Sequence, residues 1–250
     1  MTREMKLPTL VLKALTDSGY DLLSTAEDGW FLAGISGAPV RLAVRVSGQG
    51  VLLAGPELNA MARIGLIPVA QQLPHGMASA GLATDAALLY EALRVLHSVQ
   101  AHPASVLSAK VETRLAAIPA TERTSEVRQR IGQDVFREAL LELWEGRCAL
   151  SGSELPVSLL RASHAKPWSL ADDSERLDPF NGLLLAVHYD ALFDQGLITF
   201  DDEGGLLISH LLSSETRKVM HLDGVTRLRF VLPGHRGYLS FHRLRVANLQ

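Results

Sequence analysis

The chain has 250 residues, 47% of them apolar and 20% charged, with a net charge of −3. This composition suits a globular protein of one large or two small domains. Nothing approaches the ~18 consecutive apolar residues of a membrane span. The charged start MTREMKLPTL lacks a secretory apolar core, and the single Cys148 excludes an intrachain disulfide or a Cys-built zinc site. A cytoplasmic protein without a membrane partner is expected.

Leu7, Leu10, Val11, Ala14 and Leu15 recur at helical spacing, with Pro8 in the first turn and Gly19 as a stop, predicting a helix over 6–18. Three β-prone runs follow at 31–36, 40–46 and 51–55, the first two separated by Gly37-Ala38-Pro39. In 40–46, Arg41 and Arg45 share one parity and Leu42 and Val44 the other, predicting a half-buried strand with one wet, cationic face. Helices are predicted at 56–64 and 84–98, the second carrying Leu88, Leu89, Ala92, Leu93 and Leu96 behind a Thr84-Asp85 cap. The Gly- and Pro-rich stretch 67–81 between them reads as loop.

Residues 1–100 thus form an α+β module, without metal spacing, phosphate loop or nucleophile motif. A DNA-recognition module and an oligomerisation module (a possible homodimer) are both compatible with it. His75, His97 and His102 stand alone and read as structural. The stretch 101–126 reads as a linker, partly helical, leading to a domain over 127–250.

That domain opens on the strongest helical pattern in the chain, Val127, Ile131, Val135, Leu140 and Leu143, ending near Gly146. Its Arg137 suits an ion pair with a neighbouring Glu better than a phosphate contact. Residues 161–194 come next. They hold His164 before a Pro167-Trp168 turn, a polar Asp-rich loop, Asn181-Gly182, an apolar run, His188 and Asp190, then Leu192-Phe193-Asp194 before Gly196. Residues 227–232 read as a strand. From Arg227 onward five Arg and two His stand with no acid, a local cationic segment beside an acidic one.

This ordered set, with RIGQDVFREALLELWEGRCALSG before it and YLSFHRLRV after it, resembles the HNH endonuclease family over roughly 128–246. The resemblance implies an α+β chain in which the N-terminal module is joined to a C-terminal ββα-metal domain, a hairpin followed by a helix. It implies a metal-dependent endonuclease acting on DNA, in the style of bacterial restriction or defence enzymes. His164 falls on the general base, and Asn181 on the central Asn that fixes the base loop or reaches the metal. The family's metal-binding His position is Asp190 here, with His188 as second choice. Asp194 shares a helical face with Asp190 and either joins it at the metal or caps the next turn. Carboxylate ligands favour Mg2+ or Mn2+. Ser163 takes a slot where other branches place a ligand. Arg243, His242, Arg245, Arg236 and Lys166 are the candidate DNA contacts. Two alternatives stay open: a catalytically weakened HNH scaffold that only binds DNA, and a nuclease effector switched by a ligand in the N-terminal module.

Overall fold

The structure is a computed structural model describing residues 6–36, 41–56, 60–101 and 104–245. Residues 1–5, 37–40, 57–59, 102–103 and 246–250 lie outside them, and with them the expected Gly37-Ala38-Pro39 break, part of the expected 56–64 helix and His102. The chain divides into two compact units, Met1–Ala101 and His102–Gln250.

In the first unit α1 (Thr9–Asp17) begins directly after Pro8 and buries Val11, Ala14 and Leu15. Gly19, with φ 86°, ends it. The strands β1 (Leu22–Thr25), β2 (Phe31–Gly34), β3 (Arg41–Ser47) and β4 (Gly50–Gly55) form an antiparallel meander. After α2 (Ala60–Arg63) come β5 (Ile67–Pro68), β6 (Ser79–Ala83) and α3 (Ala86–Ala101). The sheet order is β1-β2-β3-β4-β6-β5.

Two expectations are corrected here. The stretch 67–81 is not all loop, because its ends are β5 and the start of β6, and β6 pairs with β4 inside the sheet. A Cβ on Gly81 would sit 2.6 Å from the Leu66 Cβ and 2.9 Å from the Met61 Cβ. This glycine marks a close approach, not a turn. The arginine side of β3 is wet only in part, with Arg41 exposed and Arg45 half-buried. Ala43 joins Trp30, Leu52, Ala54, Ala80 and Leu82 in a core cluster, while Leu42, Val44 and Leu53 are also buried. Arg45 lies 4.8 Å over the Trp30 ring and donates to Gln71.

The second unit starts earlier than expected. Within the anticipated linker, α4 (Ala104–Ala116) buries Leu107, Val111 and Leu115 in the unit's core. The long α5 (Ser125–Leu143) is capped by Thr124, which accepts from the Val127 amide, and buries Val135, Phe136, Ala139, Leu140 and Leu143. A hairpin of β7 (Leu160–His164) and β8 (Gly182–Ala186) pairs antiparallel, with His164 opposite Gly182 and Ser163 opposite Leu183. The loop between them contains α6 (Asp173–Arg176), held by a capping box of Asp172 and Glu175. Directly after β8 comes α7 (Val187–Asp194), then β9 (Ile198–Phe200) and β10 (Leu206–Ile208) as an antiparallel pair. The last helices are α8 (Ser214–Val219) and α9 (Pro233–Arg245).

The expected strand at 227–232 is reduced to a single bridge between Arg227 and Gly205. The Leu228 and Arg229 amides donate to Gly204 and Ala149, which belong to different segments, so no ladder forms. Pro233, lacking an amide hydrogen, then opens α9.

Alternation along β7 decides the site. His164 and Gly182 face α5, where a Cβ on Gly182 would stand 2.5 Å from Phe136 and 2.6 Å from Leu140. Ser163 faces α7. The hairpin therefore lies between two helices.

Candidate active site

His164 is the best-held side chain of the site. Its ring stacks on Phe136 (centroids 3.9 Å, interplanar 15°) and meets Trp168 edge-on at 5.6 Å. Its Nε2 lies 2.9 Å from the Arg176 carbonyl oxygen. A carbonyl only accepts, so Nε2 carries the proton and the neutral ring keeps its lone pair on Nδ1. Burial moves the imidazole below its ordinary pKa, against the opposing pull of the Arg176 carbonyl. A neutral, base-competent ring at neutral pH follows.

Asn181 builds the loop that holds Arg176 in place. Fully buried, its Oδ1 accepts from the Lys166 amide at 2.7 Å, while Nδ2 donates to the carbonyls of Lys166 (3.2 Å) and Glu175 (2.9 Å). Both sides of the loop are thus tied to one amide, one residue before the carbonyl that orients His164. Of the two roles expected for the central Asn, this geometry matches the loop-fixing one. Arg137, expected to meet a Glu, instead donates to the carbonyls of Leu160 (2.7 Å) and Val157 (2.5 Å), bracing the start of β7.

On the opposite face, the Ser163 hydroxyl donates to Asp190 Oδ1 at 2.6 Å. Asp194, one turn on, is raised to about 6 by burial and then by the Asp190 charge. The residue is partly buried yet still open to water on one side, so solvent screens that repulsion. No turn-capping hydrogen bond to Asp194 occurs among the described residues. His188 opens the same helix. It leans on Tyr189 (3.9 Å), and burial followed by the nearby His221 lowers its pKa. Among the described residues no cluster of three or more His, Cys, Asp or Glu is placed to hold a metal ion.

The structure does not bring the imidazole and the carboxylate together as a ready-made cage. His164 projects toward α5 and Asp190 bonds on the α7 side, with adjacent Ser163 as the link between the two faces.

Several expected DNA contacts are corrected. His242 is buried, with Nδ1 2.8 Å from Thr199 Oγ1 and Nε2 3.1 Å from the Phe193 carbonyl. Stacked on Phe193 and lowered to about 4 by burial, it is a core residue. Arg243 donates to the Phe200 carbonyl (2.7 Å) and to Asp202 (2.5 Å), tying α9 to the β9 turn. Lys166 pairs with Glu175 at 2.5 Å, only about a fifth of its side chain being exposed. Arg227 and Arg229 are likewise spent on Glu203, Trp144 and Glu145. Arg236 and Arg245 are exposed.

Sequence reasoning missed Phe136 and the Arg176 carbonyl. The first reads as one more apolar residue of a helix stripe, and a backbone carbonyl has no signature at all.

A strand pair whose first strand ends in a pinned histidine, followed without a loop by a helix bearing carboxylates, defines a ββα nuclease-type unit. Residues 148–201 match the family described as HNH endonuclease. The match supports a nuclease-type function, with a nucleic acid as substrate. No curated protein matches the chain. No helix among the described residues is long and apolar enough to cross a membrane.

Proposed function

We propose that the second unit, with the boundary helix α4 included, is a DNA endonuclease that hydrolyses phosphodiester bonds with His164 as general base. The observation that carries this is the fixed tautomer: Nε2–H on the Arg176 carbonyl leaves Nδ1 unprotonated. Nδ1 takes the proton of the attacking water. The imidazolium so formed keeps its Nε2–H bond, and Phe136 and Trp168 hold the ring plane while charge develops. Asn181 keeps the Arg176 carbonyl in register and is a positioning residue.

HNH nucleases generally use a divalent metal. The oxygen set here is Asp190, the Ser163 hydroxyl and Asp194, whose pKa is raised by burial and then by the Asp190 charge. These few hard oxygens fit Mg2+ or Mn2+ that retains several waters. Such an ion would stabilise charge on the phosphate and the leaving oxygen. His188 is the reserve position for contact with phosphate. Arg236 and Arg245 are the exposed cations left for the DNA backbone. We read the role as restriction or defence in the cytoplasm, with the first unit recognising DNA or pairing with a second copy.

The second reading is a scaffold that binds DNA without cutting it, favoured by the lack of a three-ligand cluster among the described residues. Plasmid nicking with Mg2+ or Mn2+ separates the two. Wild type is expected to exceed His164→Ala by about a hundredfold or more. Equal rates across metals and DNA modifications would leave only the binding reading.

A further inference from the structure

A cavity of about 640 Å³ opens in the second unit between α4, α5 and the α6 loop, lined in part by Ser108, Gln129, Gly132, Trp168 and Arg176. That is within the range of small-ligand sites, roughly 300–1,000 Å³. Its lining joins one large aromatic to cations, an amide and hydroxyls. Gly132 matters to its shape, because a Cβ there would lie 2.7 Å from the Trp168 ring edge. The missing side chain lets the indole lie close against α5.

The two cations at the rim differ. Arg128 reaches both carboxylate oxygens of Glu112 in a pair more than half exposed on both sides, where a phosphate can compete for the guanidinium. Arg176 is held in place: it donates to the Trp168 carbonyl at 3.0 Å, pairs with the exposed Asp173 and lies over the Trp168 ring. The lining also touches the catalytic ring directly. Trp168 meets His164 edge-on, and the carbonyl of Arg176 accepts the His164 Nε2–H.

We propose that this cavity is a nucleobase site: a planar base stacks on Trp168, the Gln129 amide and the serine hydroxyls meet its polar edge, and its phosphate faces Arg128. Stacking on an aromatic tolerates any base, while amide hydrogen bonds select among them. Two sources carry this chemistry, a base extruded from the bound DNA and a free mononucleotide. Either occupant settles on the two residues that orient His164, so occupancy and base alignment are coupled. The inference rests on the nuclease reading of this unit.

The test uses the full chain in EDTA, so that binding is read without cleavage. One arm titrates the four deoxynucleoside 5′-monophosphates by calorimetry. The other adds the protein to duplexes carrying 2-aminopurine, whose fluorescence rises on unstacking. Ser108→Trp and Gln129→Trp fill the cavity from exposed helix positions, each checked by circular dichroism so that one serves if the other misfolds. Saturable mononucleotide binding, weakened about tenfold or more by a filling variant, supports a free nucleotide. Brightening of the duplex that a filling variant removes supports an extruded base. No saturation and no brightening, or signals that both filled and folded variants leave unchanged, overturn the proposal. Failure of the nuclease reading is separate: His164→Ala would then cut as well as wild type while the binding signals persist.

Discussion

The two faces of the β7–β8 hairpin differ in how complete they are. On the α5 face every contact of His164 is in place: an aromatic above, a second at its edge, a carbonyl on Nε2, and a buried Asn securing the loop behind it. On the α7 face Asp190 accepts from the Ser163 hydroxyl, and Asp194 is pushed up by burial and then by the Asp190 charge. Apolar packing and backbone hydrogen bonds are satisfied within the chain itself. Two neighbouring carboxylates are not balanced in this way, and a bound cation would relieve their repulsion. On the proposed reading the first face orients the base and the second offers oxygens to a metal.

If that contrast is sound, breaking the α7 face should cost metal dependence without harming the fold. Asp190→Asn is expected to lower apparent Mg2+ or Mn2+ affinity by about a hundredfold, with an unchanged melting temperature. Metal titration of the cleavage rate checks it, and full activity at wild-type metal concentrations would move the ligand role to His188. Breaking the α5 face should do the reverse. Asn181→Ala removes a buried amide that makes three hydrogen bonds, and a loss of about 3 kcal/mol is expected in denaturant unfolding, with slower cleavage at saturating metal.

The histidine of α9 gives a pH test outside the site. His242 titrates near 4 in the fold against an ordinary 6.5. The unfolded chain therefore takes up its proton first as pH falls. Stability should be flat above about pH 6.5 and drop by about 3 kcal/mol between there and pH 4. His242→Gln should flatten much of that slope in pH-dependent melts. The smallest effects belong to the basic tail. Arg236→Ala or Arg245→Ala is expected to lower the salt slope of DNA binding by about one unit, whereas Arg243→Ala leaves the slope alone and lowers the melting temperature. A changed slope in Arg243→Ala would return it to the DNA surface.

What was legible in the sequence follows from the range of the forces involved. The stripe of Val135, Leu140 and Leu143 announces α5, because helix burial repeats locally. The order His164, Asn181, Asp190 carried the hairpin and helix only through its resemblance to the HNH pattern. Gly81 misled because a glycine that permits close packing and one that permits a turn look alike in sequence. Arg243 and Arg45 misled because an arginine's partner is chosen by tertiary structure, Asp202 in one case and Trp30 in the other. The stretch 101–126 read as a partly helical linker, but the place of α4 in the core was not legible, because its three buried residues, Leu107, Val111 and Leu115, make a stripe too sparse to stand out among Ala and Ser. The placing of His164 and of Ser163, which bonds Asp190, on two strand faces was implicit in the alternation at 163 and 164, and it needed the register to become visible.

The account turns on the imidazole of His164 being held with its proton on Nε2. Long-range 15N–1H correlation spectra of the histidine-labelled protein, recorded across pH, report tautomer and titration together. They should show Nε2 protonated, Nδ1 bare and a midpoint below 6.5. A ring carrying its proton on Nδ1, or one still charged at neutral pH, would contradict the assignment of His164 as the base.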